Sequence, residues 1–234
     1  MIAEIREKLE ALRALDARCK LSGASKHRYI STPVSESDIR AFETAMGMPL
    51  PGDYRAYINQ IGYGAGPHYG LYSLEHIKKD YPYFKNRFFD EVEEENAYGE
   101  IARFSDLTHA HVTLYIDLYN QSTTEYLSYI APTVGSVEGA LVITEDGCTY
   151  HHLLVVAGEL KDTIWDVSYE SGFSAIPEGV FVPEAYEVQV RNGVIIKHQA
   201  ENRVKCNGRP FSFQEWINNW LDDSLVAATK LSDQ

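Results

Sequence analysis

The densest concentration of reactive groups is Glu145-Asp146-Gly147-Cys148 followed by His151 and His152, which puts a thiol, two imidazoles and two carboxylates close together in the chain. Such a set suits a zinc ion, or a cysteine nucleophile activated by a histidine. Spacing opposes both. Tyr150 to Ala157 reads as a strand, so the adjacent His151 and His152 point to opposite faces and cannot both join Cys148 around one ion without a bulge. The expected arrangement is a turn followed by a strand with one inward and one outward histidine. His109 and His111 share a face only if their segment is extended. On a helix they diverge, and no third ligand is identifiable nearby. Gly62-Tyr63-Gly64-Ala65-Gly66-Pro67 superficially looks like a phosphate cradle. Those cradles follow a strand and open a helix, whereas this one follows a helix and runs toward an expected strand at Gly70 to Leu74. Neither a Gly-x-Ser-x-Gly nor a P-loop pattern occurs. The expectation is therefore a chain with no catalytic residues, no metal and no cofactor, with an enzyme built on Cys148 and a histidine as the lesser alternative.

The elements that would position these groups are legible to different degrees. Ile2, Ile5, Leu9 and Leu12 recur at three- and four-residue spacings among charged residues, which predicts an amphipathic helix that packs as an N-terminal appendage over residues 1–30. Ser35 and Asp38 predict a capping box opening a second helix, with Ile39, Phe42 and Met46 on one face and Gly47 as its stop. Pro51 opens a third, lined by Tyr54, Tyr57, Ile58 and Ile61. Asp80 to Glu100 reads as a mixed helix or long loop. From Ser105 to Ile130 both strand and helix patterns fit, with helix favoured for part of it. Ala140 to Thr144, Tyr150 to Ala157 and Lys161 to Ser168 then predict an antiparallel meander turning at Gly147 and Gly158, with Trp165 pointing into a core beside Leu154 or Val156. Glu187 to Arg191 and Val194 to His198 flank Asn192-Gly193, a strong hairpin signal. Ser212 and Glu215 form a second capping box before a closing helix bearing Trp216, Ile217, Trp220 and Leu221, with a tail that frays after Leu225. Helices flanking a mainly antiparallel sheet define an α+β class, and the absence of a repeat or low-complexity linker predicts one domain over residues 1–234.

Composition narrows the partners. The chain has 234 residues with 21 Lys+Arg against 34 Asp+Glu, a formal charge of -13 that repels nucleic acid backbones and anionic membranes at long range and favours a basic partner. Three scattered cysteines make no disulfide framework, and the charged opening residues make no secretory signal, so a cytoplasmic setting is expected. The sixteen tyrosines suit protein interfaces, because a tyrosine offers a large contact area with a polar tip. An aromatic cluster containing Tyr81 and Tyr83 precedes the acidic run Asp90, Glu91, Glu93, Glu94 and Glu95, and these seven residues are the expected partner-binding set.

Several segments line up in an order more specific than any one of them: Val34-Ser35-Glu36-Ser37-Asp38-Ile39 through Phe42-Glu43, Met46-Gly47-Met48-Pro49-Leu50-Pro51-Gly52-Asp53-Tyr54-Arg55, Ile143-Thr144-Glu145-Asp146-Gly147-Cys148, Ile164-Trp165-Asp166 and Phe213-Gln214-Glu215-Trp216. This succession, over residues 33–225, resembles the SUKH superfamily, which groups bacterial immunity proteins with the fungal Smi/Knr cell-wall regulators. Ile61-Gly62 stands where that family often shows Asn-Gly, the stretch from Asp80 to Gly139 carries no family signature, and Pro177 to Lys205 resembles an enlarged insertion. The resemblance implies a non-enzymatic immunity protein whose scaffold binds and blocks a cognate toxin domain, often a basic nuclease. A regulatory protein-binding scaffold like the fungal relatives is the alternative it also implies.

Overall fold

The computed structural model describes residues 2–85, 97–121, 130–147, 149–168, 173–183, 187–191, 194–198 and 204–232. Its centre is a five-stranded sheet in the order β3-β7-β6-β5-β4, formed by β3 (Thr133–Val134), β4 (Ala140–Gly147), β5 (Tyr150–Val155), β6 (Ile164–Ser168) and β7 (Phe173–Pro177). Every neighbouring pair in it is antiparallel. Three two-stranded ladders accompany it: β1 (Ser31–Thr32) with β2 (Tyr63–Gly64), β8 (Phe181–Pro183) with β11 (Val204–Cys206), and β9 (Glu187–Arg191) with β10 (Val194–His198). The last is the expected hairpin, with Val194 opposite Arg191, although its Asn192-Gly193 turn lies outside the described residues. The chain is thus α+β.

Both faces of the large sheet are covered, and side-chain alternation divides its residues between two cores. On one face Leu141, Ile143, Leu154, Val156 and Ile164 pack with α1 (Ile2–Leu15), α3 (Glu36–Met46), α4 (Gly52–Gln60) and α7 (Phe213–Ser232). On the other, Val142, Leu153, Val155, Trp165 and Val167 pack with Phe104, Leu107 and α6 (His109–Gln121). Trp165 is fully buried, as its residue type suggests, but it lies opposite Leu153 in register and on the face away from Leu154 and Val156. Its indole Nε1 donates to Thr163 Oγ1 at 2.9 Å, and its ring meets Phe104 edge-on.

Local chemistry explains the helix boundaries. Ser35 Oγ accepts from the Asp38 N–H at 3.2 Å, and Gly47 ends α3 in the left-handed region. At α7 the box is reciprocal: Ser212 N–H donates to Glu215 Oε2 at 2.9 Å and Glu215 N–H to Ser212 Oγ at 3.3 Å. This helix does not fray after Leu225. Val226 and Ala228 are buried in the first core and hold it helical to Ser232. Glu36, Glu43 and Arg55 join α3 to α4: Glu43 accepts from both Leu50 N–H at 2.9 Å and Arg55 Nε at 3.3 Å. Helix α1 enters the first core through Ile5, Leu9 and Leu12, and buried Lys8 reaches Asp222 of α7 at 2.7 Å.

One further expectation changes. No strand forms over Gly70 to Leu74. Only Leu71 bridges to Gly64, and α5 (Leu74–Lys85) begins where Ser73 Oγ accepts from His76 N–H at 3.1 Å. Pro82 sits inside that helix, which is why the sequence there reads as broken. Between Ser105 and Ile130 the favoured helix forms over His109–Gln121, with Val112 and Tyr115 as its buried contacts, and residues 122–129 lie outside the described ones.

Removing the Trp165 side chain takes a fully buried ring from between β6 and Phe104, so Trp165→Ala is expected to cost about 3–5 kcal/mol in urea denaturation. A midpoint unchanged from wild type would contradict this placement.

Candidate functional site

A sheet covered on both faces has little room for charge, yet β5 and β6 carry His152 and Asp166 directly opposite one another in register. Both fall on the face of the first core, where the alternation that buries Leu154 and Ile164 also aims them. The apolar packing ends beside them in a cleft of about 500 Å³. Its walls come from seven places: Leu21 after α1, Pro67 and His68 after β2, Asp146 of β4, His152 of β5, Asp166 of β6, Glu178 just past β7, and Trp216, Trp220 and Asp223 of α7. Its described lining holds four carboxylates and two histidines but neither lysine nor arginine.

Backbone geometry aims the two histidine-carboxylate pairs. The β4–β5 ladder slips between Glu145 and Gly147, leaving Asp146 in a bulge whose carboxylate turns toward His68. The glycine loop delivers the partner: Gly64 and Gly70 both take positive φ, and a Cβ on Gly70 would lie 2.1 Å from Gly64 O. This close approach makes the loop a structural turn. It presents His68, itself at φ +54, with Nδ1 2.9 Å from Asp146 Oδ1. Beneath it, buried His152 places Nε2 3.2 Å from Glu178 Oε1. The two imidazoles stack at 4.4 Å, and the Trp216 ring lies 5.4 Å from that of His152.

The electrostatics separates these groups. Burial opposes a charged His152, but the Glu178 hydrogen bond and the charges of Glu178, Asp166 and Asp146 outweigh it and raise the imidazole's pKa. His68 moves the other way, lowered by burial and by the neighbouring His152 against the pull of Asp146. Burial pushes Asp166 up to about 6, with His152 opposing and Glu178 adding to the rise. One ring nitrogen of His152 and one oxygen each of Asp166 and Glu178 lie within 4.8 Å of one another. Buried His152 Nδ1 and Asp166 Oδ1 have no hydrogen-bond partner. The arrangement is suited to receiving positive charge, whether a cationic side chain or a metal ion.

The structure deals unevenly with the residues singled out from sequence. His151 and His152 do point to opposite faces, His151 against Phe84 and His152 against Trp216. Cys148 lies outside the described residues. His109 and His111 diverge on α6, the first bonded to Glu159 and the second to Thr108. Tyr81 packs partly buried against the first core, and Tyr83 is 61% exposed at the end of α5 with its ring edge-on to Phe84. Asp90, Glu91, Glu93, Glu94 and Glu95 lie outside the described residues. Tyr81 and Tyr83 do not line the cleft. Sequence reasoning missed His68, Asp166, Glu178 and Trp216 as a group. The one available signal was Asp166, a carboxylate interrupting an otherwise apolar strand.

A two-sided α+β fold whose functional candidate is an acidic, aromatic-walled cleft fits a binding protein for something cationic. The chain belongs to the SMI1 / KNR4 family (SUKH-1), which it matches over residues 33–176. No curated protein and no solved structure matches it. Among the described residues no helix is long and apolar enough to cross a membrane.

The start of α7 sets Trp216, and Glu215 fixes that start through Ser212 and Arg209. The Arg209 guanidinium and the Ser212 N–H hold Glu215 down to about 2, against burial, from an ordinary 4.5. A depressed carboxylate contributes stability that is present above its unfolded pKa and lost as pH falls through its folded one. Glu215→Ala should therefore cost about 1 kcal/mol near neutral pH, with the deficit shrinking as pH is lowered through the window from 4.5 to about 2. Urea titrations across that window check it, and a deficit independent of pH would remove the charge from the account.

Proposed function

We propose that this chain is an immunity protein, a non-enzymatic binder that captures a cognate toxin domain with a basic surface and blocks it. Family membership over residues 33–176 is the observation that carries the reading. The charge of -13 supports it from a separate direction. An enzyme that acts on nucleic acid presents cationic surface to phosphates, and an acidic inhibitor is steered to that surface over long range. The family-matched residues support a scaffolding role: Glu36, Glu43 and Arg55 tie two helices together, and Gly47 ends one of them.

The contact is proposed at the end of α5, where Tyr83 is exposed and Tyr81 stands half-buried, together with the acidic residues Asp90, Glu91, Glu93, Glu94 and Glu95 that follow. Exposed charges act chiefly on association rate, because solvent and salt screen them once the complex has formed.

Where an adjacent reading frame encodes a long secreted protein ending in a small basic domain, that domain is the partner to test. Co-expression with that domain is expected to abolish its toxicity and yield a complex by gel filtration, whereas toxicity left intact would overturn the proposal. Within such a complex, reversing Glu93, Glu94 and Glu95 to Lys should slow association by roughly tenfold or more at low salt, with the difference shrinking near physiological ionic strength. Stopped-flow rates equal to wild type across the salt series would place the toxin elsewhere on the surface.

A further inference from the structure

We propose that His152, Asp166 and Glu178 form a binding site for one divalent metal ion of the borderline class, Zn²⁺ foremost. The donor set is an imidazole nitrogen and two carboxylate oxygens, within 4.8 Å of one another. Zinc takes such ligands at about 2.0–2.2 Å, so donors around one ion stand roughly 3–3.5 Å apart, and small side-chain rotations would close the cluster. Rigid elements hold it. His152 and Asp166 are opposed in register on paired strands, and the Glu178 N–H donates to Ile164 O at 3.0 Å, which ties the third ligand to the same sheet.

Two further observations point to a missing cation. Buried Asp166 Oδ1 lacks a hydrogen-bond partner, and the ion pair between His152 Nε2 and Glu178 leaves that ligand oxygen unsatisfied. No lysine or arginine stands among the described lining residues to answer carboxylates that share so small a space. Around the cluster, His68 stacks on His152 while bonded to Asp146, and the Trp216 ring lies 5.4 Å from that of His152, which limits the orientations His152 can adopt. Three protein ligands leave a coordination position open toward the cleft, where water or a partner's carboxylate can bind. The site is independent of toxin capture, since neither its geometry nor its test involves the toxin.

Full-length protein stripped with chelator and dialysed is titrated with Zn²⁺ by calorimetry and with Co²⁺ by visible absorption. The expected result is one equivalent bound, a ligand-field band with Co²⁺, and a thermal midpoint that rises with Zn²⁺ concentration. Asp166→Asn and Glu178→Gln keep the side-chain shapes and should each weaken binding by at least about tenfold, as expected when a ligand loses its charge. His152→Ala should abolish it. His109→Ala, an exposed histidine bonded to Glu159, should change nothing. Should His152→Ala fail to fold, the two isosteric variants decide. No saturable binding, or binding of undiminished affinity in both Asp166→Asn and Glu178→Gln, overturns the assignment.

Discussion

The antiparallel pairing of β5 with β6 is the interaction on which most of the molecule depends. It sets Leu153 opposite Trp165 on one face and His152 opposite Asp166 on the other. Because helices cover both faces, the apolar residues of this pair divide between two cores, Leu153, Val155, Trp165 and Val167 to one and Leu154 and Ile164 to the other. A slip of one residue would exchange these sets, driving Trp165 into the acidic cleft and His152 into a wall of valines and leucines. The register is therefore under strong selection by packing alone. The polar pair is carried with it, at the point where the first core runs out.

Charge placed there is costly unless it is answered. Part of the answer lies within the cleft: His68 with Asp146, His152 with Glu178, and the stacking of the two rings. The remainder is not answered. Asp166 rises to about 6 because burial penalises its charge and Glu178 repels it, more than His152 relieves. Elsewhere some polar groups are closed, as in the reciprocal box at Ser212 and Glu215, while single neutral groups such as Tyr54 Oη and Asn218 Oδ1 are buried without a hydrogen-bond partner. What sets the cleft apart is that its short groups are ionisable and stand side by side at an opening, where a ligand can make them good.

Local signals were the ones legible in sequence. Ser35 with Asp38, Ser212 with Glu215, Gly47 and the hairpin around Asn192-Gly193 each act within a few residues, so their consequences can be read without knowing the fold. Trp165 marks the limit of that reading. Its burial follows from its type, but its face follows from a register that brings Leu153 rather than Leu154 opposite it. Helix α5 was obscured by Pro82, tolerated in a helix whose Leu74, Ile77 and Phe84 are all buried. The cleft was hidden for a simpler reason. His152, Asp166 and Glu178 come from three segments of the sheet, and His68 from a loop beyond α4, so no window of sequence contains them together.

The matched family segment ends at residue 176, and this boundary runs through the cleft. His68, Asp146, His152 and Asp166 lie inside it, whereas Glu178, Trp216, Trp220 and Asp223 lie beyond. The inner four sit on the sheet and the glycine loop, and the outer four close the cleft from the end of β7 and from α7. Helix α7 in turn rests on α1, also outside the match, through Lys8 and Asp222 and the burial of Ile5, Leu9 and Leu12 with Leu221 and Leu225. The family scaffold thus supplies only part of the cleft. Its aromatic wall depends on two terminal helices packing against each other, so a change in the α1–α7 contact would alter that wall without touching the sheet that carries His152 and Asp166.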